Sequence, residues 1–325
     1  MTCLKAAAAA ALAAFAWIVP AAAQDYPTRP ITVIVPFAAG GPSDAITRVI
    51  AERLGTVLGQ RLIIQNIGGA GGTLGTARVT AAAPDGYTLL SHHIGLATAP
   101  ALYKSLPFDP LKDLASIGLM AEAPMAIVAR QGFPPNDLKE LVAYLQKNQD
   151  KVSYASAGIG GASFLCGLLL SQRINAKFTN VPYTGVAPAY TDMLAGRTDL
   201  ICDLTTGNNG YVEAGQLKPY ALAAKSRLAT MPNVPTTAEA GLPDFTVTTW
   251  YGLYAPAKTP AHVIERLSKA LQTVMQDKGA AEVLAATGTT LVSPEEATPE
   301  ALHKRLKDQI ELWTPIIAKS GVSAN

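Results

Sequence analysis

Histidine and cysteine are scarce in this 325-residue chain, which holds four of the first and three of the second. The C-x-x-C and Cys/His spacings of zinc sites are missing. His92 and His93 are adjacent, and neighbours on a strand point to opposite faces, so they do not readily share one metal. No G-x-S-x-G elbow occurs, which removes the commonest hydrolase nucleophile. No G-K-[ST] follows a glycine run, which excludes a P-loop, and segment 69–74 ends on Leu74 where a dinucleotide fingerprint requires glycine. Charged residues make up only 15%, with 26 basic against 24 acidic. Such near-neutrality gives no electrostatic reason to expect a nucleic-acid partner. Beyond the N-terminal segment, no apolar run approaches the ~20 residues that span a bilayer.

The N-terminus reads as a leader. Lys5 gives a positive start, and Ala6 to Val19 is an apolar run too short to span. Pro20 breaks it, and Ala21-Ala22-Ala23 offers a small-residue cleavage site before Gln24. The expectation is a signal peptide over 1–23, with a retained anchor as the alternative. Cys166 and Cys202 then remain. An even cysteine count in an exported protein suits a disulfide, and two buried free thiols are the other possibility.

Strand, loop and helix alternate along the chain, which implies an α/β fold with mostly parallel sheets covered by helices. Ile31 to Val35 reads as a buried strand, followed by a glycine loop and a helix over 44–58. Further small-residue loops follow strands at 66–73, 156–163, 182–187 and 203–209. Their placement on both sides of residue 123 suggests two lobes, with a ligand in the crevice between them. The lobes are expected at 24–123 with 248–325, and at 124–247. Hinges are expected near Glu122-Ala123-Pro124 and 244–247.

None of these loops contains Lys or Arg. An anion held there must rely on backbone N–H groups, hydroxyls, helix dipoles or bridging water. Ser43, Thr73, Ser156, Ser163, Thr184, Thr205 and Thr206 supply hydroxyls, each of which could equally be a helix cap. Asp44 reads as a cap or first-turn acid. Asp203 is either a turn residue or the acceptor of a ligand ammonium or hydroxyl. His93 is the histidine expected to reach a ligand, with a purely structural role as the alternative.

Several segments together resemble the Bug (Bordetella uptake gene) family, the periplasmic solute receptors of tripartite tricarboxylate transporters. They are Tyr26-Pro-Thr-Arg-Pro-Ile31, Val35-Pro-Phe-Ala-Ala-Gly-Gly41 with Asp44, Gly69-Ala-Gly-Gly-Thr73 and Pro84-Asp-Gly-Tyr-Thr-Leu89. Leu106-Pro-Phe-Asp-Pro110, Pro182-Tyr-Thr-Gly185, Ala195-Gly-Arg-Thr-Asp199 and Tyr251-Gly-Leu-Tyr-Ala-Pro256 complete the set. The resemblance implies a two-lobed periplasmic binding protein, type II-like, that closes on a small carboxylate. No catalysis, cofactor or metal is implied, and a monomer is expected to serve membrane transporter subunits. It places one carboxylate against Phe37, Ala38, Gly40, Gly41, Ser43 and Asp44, and against Ala70, Gly71, Gly72 and Thr73. The facing lobe would contribute Ser156, Gly158, Gly160, Ser163, Thr184, Gly185, Asp203 and Thr205. A subgroup with matching cysteines favours the Cys166–Cys202 disulfide. A sensor presenting its ligand to a membrane signalling protein, and a secreted hydrolase or isomerase using His92 or His93 with Asp203, are the competing functions.

Overall fold

The structure, a computed structural model, describes residues 26–149 and 151–324; the leader expected over 1–23 lies outside them. The chain opens with strand β1 (Ile31–Val35), helix α1 (Pro42–Leu58) and strand β2 (Leu62–Asn66). α1 forms because Pro42 fits the first turn, Ile46, Ile50 and Leu54 repeat on one buried face, and Gly59 ends it at φ 71°. Burying each of those side chains contributes ~1.5–3 kcal/mol. A 3-10 turn at Ala70–Gly72 leads into α2 (Thr73–Thr80), then β3 (Thr88–His93) and α3 (Gly95–Leu102).

The apolar stretches around 115–120 and 125–129 are one strand, β4 (Leu114–Arg130), unbroken through Pro124. From Leu114 to Pro124 it pairs antiparallel with β9 (Thr248–Pro256). From Met125 to Arg130 it pairs with β7 (Leu200–Leu204) and β8 (Leu217–Ala223). Pro124 sits where the partners change, a place in a ladder that tolerates a missing N–H. The two faces of the second half serve different cores. Met125, Ile127 and Ala129 join the large cluster, whereas Ala126 and Val128 join a smaller one with Tyr190, Met193 and Leu222.

Between the halves of this sheet run α4 (Leu138–Lys147), β5 (Ser153–Ser156), α5 (Ala162–Ile174), β6 (Thr179–Pro182), α6 (Val186–Leu194) and, after β7, α7 (Thr205–Glu213). The chain ends with α8 (Ala261–Val274), α9 (Lys278–Ala285), β10 (Thr290–Leu291) and α10 (Pro299–Ser320). Strand order is β2-β1-β3-β9-β4-β7-β5-β6, with β8 and β10 also on β4. Pairing is parallel at both flanks, as the alternation predicts, and antiparallel where β4 and β9 run through the middle. Two α/β lobes result, joined by the long strand. α7 falls where the sequence reads as a loop. Gly207, Asn208 and Asn209 are poor helix formers, and packing of the helix against β4 and β8 overrides that preference.

Cys166 on α5 and Cys202 on β7 form a disulfide, with Cα atoms 5.8 Å apart and a sequence separation of 36. Tyr154 reinforces the junction: its hydroxyl donates to Ser163 O (2.6 Å) and accepts from Cys202 N–H (3.0 Å). Closing a loop of that length stabilises by about 4 kcal/mol in the chain-entropy account. The double variant Cys166→Ala/Cys202→Ala is therefore expected to lose about 2–4 kcal/mol of unfolding free energy in a denaturant titration.

Candidate functional site

A cavity lies between the lobes. Phe37, Ala38, Gly41, Pro42, Ser43 and His93 line it from one side; Ala157, Ala162, Ser163, Val186, Asp203 and Leu204 line it from the other. The space between these walls is about 20 Å³, room for a single water. Any organic acid entering it requires the lobes to part first. A larger hollow of about 690 Å³ lies on the outer face between α1 and β2. No helix begins along that hollow, and it is an open trough.

Four helices begin at the cavity. Gly41, Pro42 and Ser43 start α1, and Ala162 and Ser163 start α5. Val186 starts α6, and Leu204 is the residue before α7. None of the four has a side chain capping its first turn. Elsewhere α2, α3 and α8 also lack a side-chain cap, whereas α4, α9 and α10 are capped by Asp137, Asp277 and Thr298. These three start away from the cavity. Uncapped N-termini present unpaired N–H groups and about half a positive charge each. The wall is electropositive without a Lys or Arg side chain in it.

The first loop is held in shape from behind. Asp44 accepts from Gly40 N–H (2.9 Å), from Arg48 Nε (3.0 Å) and from Asn66 Nδ2 (3.1 Å), and Asn66 also donates to Phe37 O (3.1 Å). Burial alone would raise the Asp44 carboxyl, but its hydrogen bonds to Arg48, Gly40 and Asn66 hold it below the ordinary carboxylate range. Asp44 therefore faces the loop backbone and lies outside the cavity lining. Arg48 is committed to it, with Nη2 2.9 Å from Oδ1.

His93 stacks on Phe37 at 4.6 Å between ring centres and meets Tyr251 edge-on at 5.7 Å. Its Nδ1 accepts from Gly95 N–H (2.9 Å), which puts the proton of the neutral ring on Nε2. Burial lowers its pKa to about 3, so it is a neutral donor at physiological pH. His92 is buried beside it, and Nδ1 accepts from the His93 N–H. Asp203 is buried at 1% exposure. Its Oδ2 accepts from Tyr190 Oη–H (2.7 Å), and its Oδ1 has no partner. Burial pushes the carboxyl up to about 7 against the opposing pull of Tyr190 and the Leu204 N–H.

Of the residues singled out in the sequence, Phe37, Ala38, Gly41, Ser43, His93, Ser163 and Asp203 share this cavity. Gly40 and Asp44 lie behind it. Ala70 to Thr73 form a rim turn against the opposite lobe, where Gly71 meets Ile159 and Gly158. Thr73 Oγ1 donates within that turn, to Ala70 O (2.9 Å). Thr184 and Gly185 press on Ala38, whose N–H donates to Thr184 O (3.3 Å). Gly160 packs on Leu102 and Tyr103, and Tyr103 Oη–H donates to Ile159 O (2.7 Å). Ser156 and Thr205 are buried in the second lobe with unpartnered hydroxyl oxygens, outside the lining. Pro42, Ala157, Ala162, Val186 and Leu204 also line the cavity, inside the loops picked out from the sequence, whereas Tyr190, which stands behind the lining on Asp203, lay outside every one of them. Tyr190 was findable in principle, since it lies four residues after Val186 on the same face of α6.

Two lobes that close helix N-termini around a buried cavity define a solute-binding protein of the periplasmic type. The chain matches the model of the "Tripartite tricarboxylate transporter family receptor" over residues 46–322, and it belongs to that family. A protein from the TAR-I ttuE–ttuC′ intergenic region of Agrobacterium vitis is 44% identical over 306 residues, covering 94% of this chain and 88% of that one. The periplasmic binding protein BugD superposes with a TM-score of 0.88 at 43% identity, over 92% of this chain and 99% of that one. MatC of Rhodopseudomonas palustris, solved with bound malate, gives 0.86 at 37% identity, over 90% and 100%.

Two outcomes follow. Gly71 has φ 61°, and a Cβ there would lie 1.9 Å from Ile159 O. Gly71→Ala is expected to hold the lobes apart, enlarging the radius of gyration in small-angle scattering, at a local backbone cost of ~1–2 kcal/mol. The Asp203 carboxyl is raised in the folded state, so the folded protein holds a proton that the unfolded chain releases. Its cost to stability grows as pH rises from the ordinary carboxylate range to about 7 and persists above. Asp203→Asn is accordingly expected to raise the melting temperature more at pH 8 than at pH 5, read by differential scanning calorimetry.

Proposed function

We propose that this protein is an extracytoplasmic receptor that traps a small carboxylate between its lobes and delivers it to the membrane subunits of a tripartite tricarboxylate-type transporter. The observation that carries the reading is the convergence of four uncapped helix N-termini on one cation-free cavity. A carboxylate matches that field, and a neutral solute does not. MatC's bound malate is a small carboxylate in a relative of the same family. Residues 24–123 with 248–325 form one lobe and 124–247 the other. They hinge at Pro124, where β4 changes partners, and at the second crossing ahead of β9. We assign no reaction to the site. The leader directs the chain to the periplasm and is removed after about Ala23, and the receptor acts as a monomer.

The test is a melting-temperature screen of the mature protein against aliphatic, aromatic and amino carboxylic acids. A binder at 100 times its dissociation constant stabilises by ~2.7 kcal/mol. A response to none of these acids would sink the proposal.

A further inference from the structure

The cavity lining contains one feature that does not suit an anion. Donors dominate it: the helix N-termini of α1, α5, α6 and α7, the Nε2–H of His93, and the Ser163 hydroxyl. Ser163 Oγ already accepts from Ala157 N–H (2.9 Å), which leaves its proton free to point elsewhere. Into this wall β7 delivers a carboxyl group, Asp203, at 1% exposure. One of its oxygens is taken by Tyr190 and the other has no partner. No cation neutralises it, and the described residues give it no other side-chain donor.

A buried carboxyl with an unmet oxygen is costly, by ~1–3 kcal/mol for the missing hydrogen bond alone. The fold does more than tolerate it. Tyr190 is itself fully enclosed and spends its only proton on Asp203 Oδ2, which fixes the carboxyl plane and leaves Oδ1 as the open acceptor. Asn208 Nδ2 donates to Asp203 O (3.1 Å), pinning the backbone beneath. The disulfide anchors the preceding residue, Cys202, to α5, which carries Ser163 to the same cavity. An acceptor so firmly held, in a site otherwise made of donors, is the complement of a ligand that carries a donor.

On the footing that the cavity receives a small carboxylate, we propose that Asp203 is its specificity-determining residue. It selects acids that carry a hydrogen-bond donor, an ammonium or a hydroxyl group, close to the carboxylate, and Tyr190 is the positioning residue that presents Asp203 Oδ1 to that donor. An ammonium gains most, because it meets an ionised carboxylate out of bulk water. The groups around Asp203 leave it alone to titrate near neutrality. Tyr190 on α6, Tyr154 on β5 and Tyr251 on β9 are all raised above the usual phenol range by burial, and His93 on β3 stays neutral down to about 3. Binding of an ammonium-bearing acid should therefore weaken as pH falls below about 7, where Asp203 takes up its proton.

Two matched series separate the donor from the rest of the molecule. Succinate, malate and aspartate differ at one carbon by hydrogen, hydroxyl and ammonium, and so do propionate, lactate and alanine. Calorimetric titration of the mature protein at pH 8 is expected to place the ammonium member of the binding series at least tenfold tighter than its unsubstituted parent, with the hydroxyl member between. Asp203→Asn should bring the three members within threefold of one another. Tyr190→Phe removes the bond that favours the ionised carboxyl, so the pH midpoint of ammonium-acid binding should move upward, an effect that a merely structural tyrosine would not produce. Parent acids that bind as tightly as their donor-bearing partners would overturn the proposal while leaving the carboxylate receptor intact. So would affinity that rises on acidification with proton uptake, because Asp203 would then be a protonated donor to a second carboxylate. Failure of all six acids to bind would overturn this assignment, and the carboxylate reading falls with it only if the wider melting-temperature screen is silent as well.

Discussion

Everything at the site depends on helix N-termini aimed at one point. Each contributes about half a positive charge and a set of unpaired N–H groups. Individually the effect is ~0.3–2 kcal/mol, and four in a shielded cavity amount to several. A Lys or Arg could supply more charge, but it would have to shed its water each time the lobes close, at a cost of several kcal/mol. Backbone donors carry no net charge and are fixed by the helices behind them. They favour an anion without a fixed charge that must be desolvated at each closure. A receptor that hands its ligand on has reason to use dipoles in place of ions.

Aiming four helices requires that they come from both lobes, and β4 makes that possible. It pairs with β9 in one lobe and with β7 and β8 in the other, so a single strand sets the relation between the walls. Closure is then a matter of small groups meeting. Gly71 against Ile159, Gly68 against Thr184 and Gly185 against Ala38 leave no room for a side chain at any of the three glycines. Tyr103 to Ile159 O and Thr206 to Thr289 add hydrogen bonds across the gap at 2.7 and 2.6 Å. Phe37 crosses as well, leaving its own strand to pack with Val186 and Tyr190 of the facing lobe. The glycines serve close approach of two backbones, which a reading of each loop in isolation treats only as a turn.

Local patterns in the sequence carried the first half of this architecture. The strand Ile31 to Val35 and the helix over 44–58, with Ile46, Ile50 and Leu54 repeating on one face, are set within a few residues, and both appear where their periods place them. The family segments located the loops that meet at the cavity. What the sequence could not carry was anything decided at long range. α7 forms from poor helix residues because it packs against β4 and β8. β4 runs straight through Pro124 because its hydrogen-bond partners change there. Asp44 is the first-turn acid that it reads as in the sequence, but the family resemblance set it against the ligand, and Arg48 and Asn66, the latter twenty-two residues away, hold it on the loop backbone instead.

Asp203 and the two histidines show how the site balances stability against binding. His92 and His93 are buried neutral, so acid works against the fold as the unfolded chain takes up protons that the folded one refuses below the ordinary histidine range. Asp203 acts with the opposite sign, since its folded form prefers the proton up to about pH 7. Near neutrality the histidines are satisfied and the aspartate is not. The cost of the buried carboxyl is absent below the ordinary carboxylate range, grows as the pH rises to about 7 and persists above, and a ligand donor that reaches Oδ1 would relieve it. A buried carboxyl that lowers stability from neutrality upward, in the lining of the cavity and with one oxygen unpartnered, is a mark of function rather than of packing.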